Sequence, residues 1–188
     1  MATTRKLNYF ILTGGPGAGK SCVIHELSHR GYQTVPESAR NIIRQQTASG
    51  GNATQQGDKA AFCTLLLQQG MTDYQAHLKI DAPVFFDRAL PGLRAYQTIA
   101  EGDEWLVLLK QVTDAISQYR YNNTVFTFPP WKSIYTTDTE RVHTFEQAVA
   151  AYSAVTAAHL DSGYKLIEVP KTTVENRVNF ILSHINKS

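Results

Sequence analysis

The stretch LNYFILTGGPGAGKSCVIHELSHRG, residues 7–31, decides the fold. Leu7 to Thr13 is an apolar run ended by glycine, the pattern of a buried strand. Gly14 to Ser21 then spells G-x-x-x-x-G-K-S. Beyond it Val23, Ile24 and Leu27 fall on one face of a helix that stops at Gly31. A strand, a glycine-rich turn and a helix start, in that order, are what a phosphate-cradling P-loop requires. Gly14, Gly17 and Gly19 let the backbone curl so that successive N–H groups face an anion, with Gly15, Pro16 and Ala18 completing the loop. Lys20 brings a point charge to the β- and γ-phosphates, and the Ser21 hydroxyl can ligate Mg²⁺. The helix N-terminus adds partial positive charge. Cys22 closes the nucleotide-binding stretch and is expected to pack as a small helix residue. The expected ligands are ATP and Mg²⁺.

The same helix carries a second signature, since His25-Glu26-Leu27-Ser28-His29 reads H-E-x-x-H. The two histidines share a helix face, as zinc ligands must. That face lies away from the Val23–Ile24–Leu27 stripe and is expected to meet solvent. A catalytic zinc would also need a third ligand and a cleft there. The match is taken as a coincidence of spacing.

Bulk composition narrows the class. At 188 residues, with 43% hydrophobic and 18% charged residues, the chain suits one domain over 1–188 with a substantial core. A net charge of +2 gives no global pull toward nucleic acid or membrane. No run approaches a membrane span, and the first apolar run is too short for a signal peptide. Cys22 and Cys63, the only cysteines, make no disulfide framework. A cytoplasmic protein, monomer or homodimer, is expected.

Apolar runs alternate with helical patterns along the whole chain. Strands are expected at YQTV (32–35), APVFFDR (82–88), NTVFTFPPW (123–131) and YKLIEVP (164–170). Helices are expected from Pro36 and Glu37 onward, over 58–79 with Leu65, Leu66, Leu67 and Met71 as the buried stripe, and over 104–119, 145–160 and 172–185. Strands apolar throughout and alternating with helices argue for a parallel sheet covered on both faces. The fold class is a three-layer α/β sandwich.

A P-loop needs a carboxylate for the magnesium shell, and Asp87 ends a buried strand where open α/β sheets place their ligands. Its alternative is a cap on the following helix. Arg88 beside it can contact a phosphate or a substrate anion, or be a solvated helix residue. Glu37 follows the second strand and can accept a proton from a substrate hydroxyl. It can equally be a helix-opening residue favoured by the dipole. Arg40, one turn later, is a candidate substrate contact. The segment FPPWKSIYTTDTERVHTFEQA carries Lys132, Arg141 and His143, and 129–146 is a candidate lid, with Arg141 positioned to neutralise transferring phosphate. Trp131 and Tyr135 read first as loop residues packed onto the core, and HTFEQAVAAY as core helix.

Together GGPGAGKS, PESAR, VFFDR, PPWKSIYTTDTER with TFEQA, and GYKLIEVPKTTVENRVNFIL resemble a family of small bacterial P-loop proteins of the AAA ATPase type. That family is similar in layout to nucleoside and nucleotide kinases and to the nicotinamide riboside kinase domain. The resemblance covers nearly the whole chain and implies a five-stranded parallel P-loop NTPase sheet of order 2-3-1-4-5 with a kinase-like site. Deoxynucleoside kinases have a glutamate ending the second strand, which Glu37 matches. They also have an acidic-Arg-Ser motif ending the third, which Asp87-Arg88 matches before Ala89 departs from it. The resemblance therefore does not extend to a specifically deoxynucleoside acceptor.

The expected activity is a Mg²⁺-dependent transfer of phosphate from ATP to a small molecule, with Lys20, Glu37, Asp87 and Arg141 carrying the chemistry. Glu37, Arg40 and Arg88 would hold the acceptor. The alternatives are an ATP-hydrolysing switch or partner-binding ATPase and, further off, a polynucleotide 5′-kinase, for which the basic run is missing.

Overall fold

The computed structural model describes residues 3–99, 102–135 and 144–185. Its centre is a five-stranded, all-parallel sheet. The strands are β2 (Tyr9–Gly14), β3 (Gln33–Val35), β4 (Val84–Asp87), β6 (Thr124–Phe128) and β7 (Lys165–Glu168), in the order β3-β4-β2-β6-β7. Counting only these five along the chain, the order is the 2-3-1-4-5 implied by the resemblance. Parallel pairing brings the carboxyl ends together: Leu12 lies opposite Asp87 and Gly14 opposite Phe128. Two further strands, β1 (Thr4–Arg5) and β5 (Tyr119–Arg120), form a separate two-residue parallel pair that the sequence pattern does not announce.

Strand alternation sorts side chains into two layers. Phe10, Leu12, Phe85 and Phe126 face α1 (Lys20–His29) and α6 (Val174–Ile185), which contribute Val23, Leu27, Val178 and Ile181. Tyr9, Ile11, Val84 and Phe86 face the other way, toward α3 (Lys59–Ala76) and α4 (Asp103–Gln118), with Leu67, Trp105 and Val112. Helix α2 (Ser38–Ser49) packs on α3 through Ile42 and Phe62. Helix α5 (Phe145–Asp161) starts with a capping box in which the Gln147 backbone N–H donates to the Thr144 hydroxyl and the Thr144 backbone N–H donates to the Gln147 side-chain Oε1.

Some local expectations are revised. In α3 the buried stripe is Phe62, Cys63, Leu67 and Tyr74. Three consecutive leucines span too much of the helix circumference to share one face, so Leu65 and Leu66 are only half-buried. In the HTFEQAVAAY stretch only Ala148 is buried among the described residues. Cys22 is exposed rather than packed. His25 and His29 are exposed, ring against ring at 4.2 Å, opposite a buried stripe of Val23, Ile24 and Leu27. Among the described residues no group of three or more His, Cys, Asp or Glu could hold a metal, and no helix is long and apolar enough to cross a membrane.

Candidate active site

The site grows from the carboxyl edge of the sheet. After β2 the chain turns through the glycine-rich loop and enters α1 at Lys20, with Gly19 as the left-handed N-cap. No acidic residue stands in the first turn of α1, so its unpaired N–H groups and positive end are left for an anion. Lys20 is 6% exposed, and its ammonium donates to the carbonyls of Gly14 (3.3 Å) and Gly15 (2.9 Å). The loop thus holds its own cation inside the curl where phosphates would lie. Gly17 has φ +72°, and a Cβ there would stand 2.5 Å from the Tyr135 ring. Only glycine fits both the backbone and that approach.

Tyr135 follows a short 3₁₀ turn, Lys132–Ile134, beyond β6. Its ring packs edge-on against Phe145 at 5.4 Å, and its hydroxyl donates to the Thr144 carbonyl. Trp131 lies under the guanidinium of Arg177 from α6. The Trp-Lys-Ser-Ile-Tyr segment therefore packs on the P-loop rather than on the core, while Lys132 itself points to solvent. Arg141 and His143 lie outside the described residues, as does the rest of 136–143 within the candidate lid.

On the other side of the loop stand the acidic candidates. Asp87, the last residue of β4, is 5% exposed, and its Oδ1 has no hydrogen-bond partner. It does not act as a helix cap. Burial raises its pKa, opposed by the charge of Lys20. A buried carboxylate with an unused oxygen, lining the same cavity as the exposed Ser21, suits a hard, oxygen-seeking cation such as Mg²⁺.

Arg88 is the one non-glycine residue among those described with a positive φ, +68°. Its N–H still donates to the Leu12 carbonyl at 2.9 Å. The left-handed turn costs about 1 kcal/mol or more, and the residue it orients pairs with Glu37, Nε to Oε1 at 2.6 Å. Glu37 occupies the N-cap position of α2, yet its side chain makes no capping bond. Its helix-opening role is thus one of position, and its carboxylate belongs to Arg88. Burial works to raise the Glu37 pKa, but the charges of Arg88, Lys20 and Arg40 together with the Arg88 hydrogen bond hold it below the usual carboxylate range. It is an anion at neutral pH.

One cavity of about 1040 Å³ joins the two halves, running from the P-loop past Asp87, Arg88 and Glu37 to Arg40, Lys59 and Tyr96. Much of its wall is apolar. It includes Leu66 of α3, Leu93 and Tyr96 of the 3₁₀ stretch Leu90–Ile99, and the small residues Ala151 and Ala154 of α5. Tyr96 stacks on Trp105 at 6.2 Å, and burial pushes its phenol well above the ordinary range. Sequence reasoning missed Tyr96 and Leu93, because a stretch with Pro91 and Gly92 carries neither helical nor strand period. It also missed Arg177, which in the sequence is one charged residue within the helix expected over 172–185.

Two solved structures share this architecture over almost the whole chain. A deoxyadenosine kinase from M. mycoides, solved with its products dCMP and dCDP, superposes with a TM-score of 0.70 at 14% identity, over 96% of this chain and 100% of that one. The NadR protein in complex with NR superposes with a TM-score of 0.70 at 12% identity, over 95% of this chain but 49% of that one. At such identities the likeness is one of fold. No curated protein matches the sequence significantly. Residues 9–177 match the model of an AAA domain family, and the chain belongs to that family of P-loop proteins with a kinase-like fold.

Proposed function

We propose that this chain is a single-domain, ATP-using phosphotransferase that acts on a small-molecule hydroxyl or phosphate. The observation that carries the proposal is the continuity of the cavity. It extends well beyond the P-loop to a charged pair, Glu37 and Arg88, and an apolar pocket bounded by Leu66, Leu93 and Tyr96. A largely apolar cavity with a few placed polar groups beyond the phosphate loop is the kind that takes a second small molecule.

Gly14 to Cys22 would hold the polyphosphate, with Lys20 leaving the Gly14 and Gly15 carbonyls for the β- and γ-phosphates. Ser21 and Asp87 would hold Mg²⁺, which when bound offsets charge on the transferring phosphoryl group. Glu37, ionised and fixed by Arg88, would accept a hydrogen bond from the acceptor hydroxyl and aim its oxygen at the γ-phosphorus. Arg88 and the exposed Arg40 would face the anionic parts of acceptor and phosphate. A lid over 129–146, with Arg141 closing on the transferred phosphate, completes the proposal on sequence grounds. The deoxyadenosine kinase likeness makes nucleosides the first acceptors to try. Ala89 in place of the motif serine argues for testing beyond deoxynucleosides.

The deciding experiment is a screen of nucleosides, nucleotides and vitamins for acceptor-dependent ADP release, with Lys20→Ala as the control. A kinase releases ADP in step with phosphorylated acceptor and falls silent in the control. ADP release that no acceptor stimulates would make water the acceptor and the chain an ATP-hydrolysing switch.

A further inference from the structure

We propose that Arg177 positions the donor nucleotide, its guanidinium, backed by the Trp131 ring, taking the aromatic base. The inference rests on the P-loop reading and extends it to a residue outside the motif.

Arg177 is the fourth residue of α6, the helix that packs on α1 through Val178 and Ile181. It is 5% exposed, and no carboxylate pairs with it among the described residues. One bond ties it down: Nη1 donates to the Ala18 carbonyl at 3.3 Å. Nε has no partner at all. A Cβ on Gly19 would stand 2.7 Å from Nη1, so the guanidinium rests directly on the loop backbone. On another side it lies 5.5 Å from the centre of the Trp131 ring. It lines the same cavity as Lys20, Ser21 and Cys22. Burial lowers its pKa. A buried cation with no carboxylate partner, on a residue that lines a ligand cavity, is costly unless something in that cavity offsets it.

The position selects the base rather than the phosphates. Lys20 sits at the Gly14–Gly15 side of the loop, where the β- and γ-phosphates belong. Arg177 sits against Ala18 and Gly19 at the opposite side, beside the first turn of α1. A nucleotide threaded from Lys20 along the loop N–H groups carries its ribose and base outward past that turn. A planar guanidinium supported by an indole is suited to stack on a π-face. Trp131 then acts as a positioning residue that keeps the plane in place.

The test compares two ligands on the full chain by calorimetry: ATP, and inorganic tripolyphosphate, which has the phosphates without the base. Arg177→Ala is expected to weaken ATP binding roughly 10- to 100-fold, the range for one stacked base, and to leave tripolyphosphate within about twofold. Arg177→Lys keeps the charge but loses the plane. It is expected to follow Arg177→Ala, and it carries the comparison if the alanine variant does not fold. Equal losses for both ligands would make Arg177 a brace of the loop, and full rescue by lysine would make it a simple charge. Either overturns the proposal while the P-loop reading stands. An unaltered chain that binds neither ligand overturns both.

Discussion

Gly17→Ala tests whether the Trp-Lys-Ser-Ile-Tyr segment is part of the nucleotide site. Two separate penalties are expected. An alanine at φ +72° pays the left-handed backbone cost of about 1–2 kcal/mol. Its Cβ also cannot stay 2.5 Å from the Tyr135 ring, since carbon atoms prefer roughly 3.5–4.0 Å, so the ring must leave. Displacing it sacrifices the edge contact with Phe145, about 0.5–1.5 kcal/mol. The hydroxyl bond to the Thr144 carbonyl adds about 0.5–1.5 kcal/mol. Gly17→Ala should therefore cost about 2–5 kcal/mol by urea unfolding and weaken ATP binding by calorimetry. In a Tyr135→Ala background only the backbone cost should remain, so the pair should be non-additive by about 1–3 kcal/mol. Additive losses would show that Tyr135 does not cover Gly17, and the segment would lose its place on the P-loop.

Three other outcomes follow from the geometry. Asp87→Asn should abolish most Mg²⁺-stimulated turnover in a Mg²⁺ titration while leaving metal-free ATP binding nearly unchanged, and an unshifted titration would move the metal elsewhere. Glu37→Gln should lower acceptor phosphorylation by roughly 10²- to 10⁴-fold with ATP affinity intact. Its stability cost should stay within about 1 kcal/mol, because the Arg88 pair is partly exposed. His159 is fully buried, with its Nδ1–H donating to the Val155 carbonyl and Nε2 unpartnered, and burial lowers its pKa to about 4. Below the unfolded value of about 6.5 the unfolded chain binds the proton first, so stability is lost as pH falls from there toward 4, by about 3 kcal/mol in all. Urea melts at pH 7.5 and 4.5 should show that slope, and His159→Gln should flatten it.

What the sequence made legible was local, and what it hid was tertiary. The P-loop could be read because its turn, cation and helix start are contiguous, and the sheet order came with the resemblance. Glu37 could not be decided from sequence. Its helix-opening position and its carboxylate's partner are separate facts, and the partner lies 51 residues away. Arg177 was invisible for the same reason, since it reaches the Ala18 carbonyl across 159 residues and nothing in TTVENRVNFIL separates it from a solvated arginine. Arg88 shows the limit most sharply. Arginine has no preference for a left-handed backbone, so no propensity announces φ +68°. The conformation persists because the sheet fixes the residue on one side, through the Leu12 carbonyl, and Glu37 fixes its side chain on the other. Strain held in place by two neighbours, one in a strand and one at a helix N-cap, is a property of the assembled edge, and it falls where the proposed acceptor would meet the transferring phosphate.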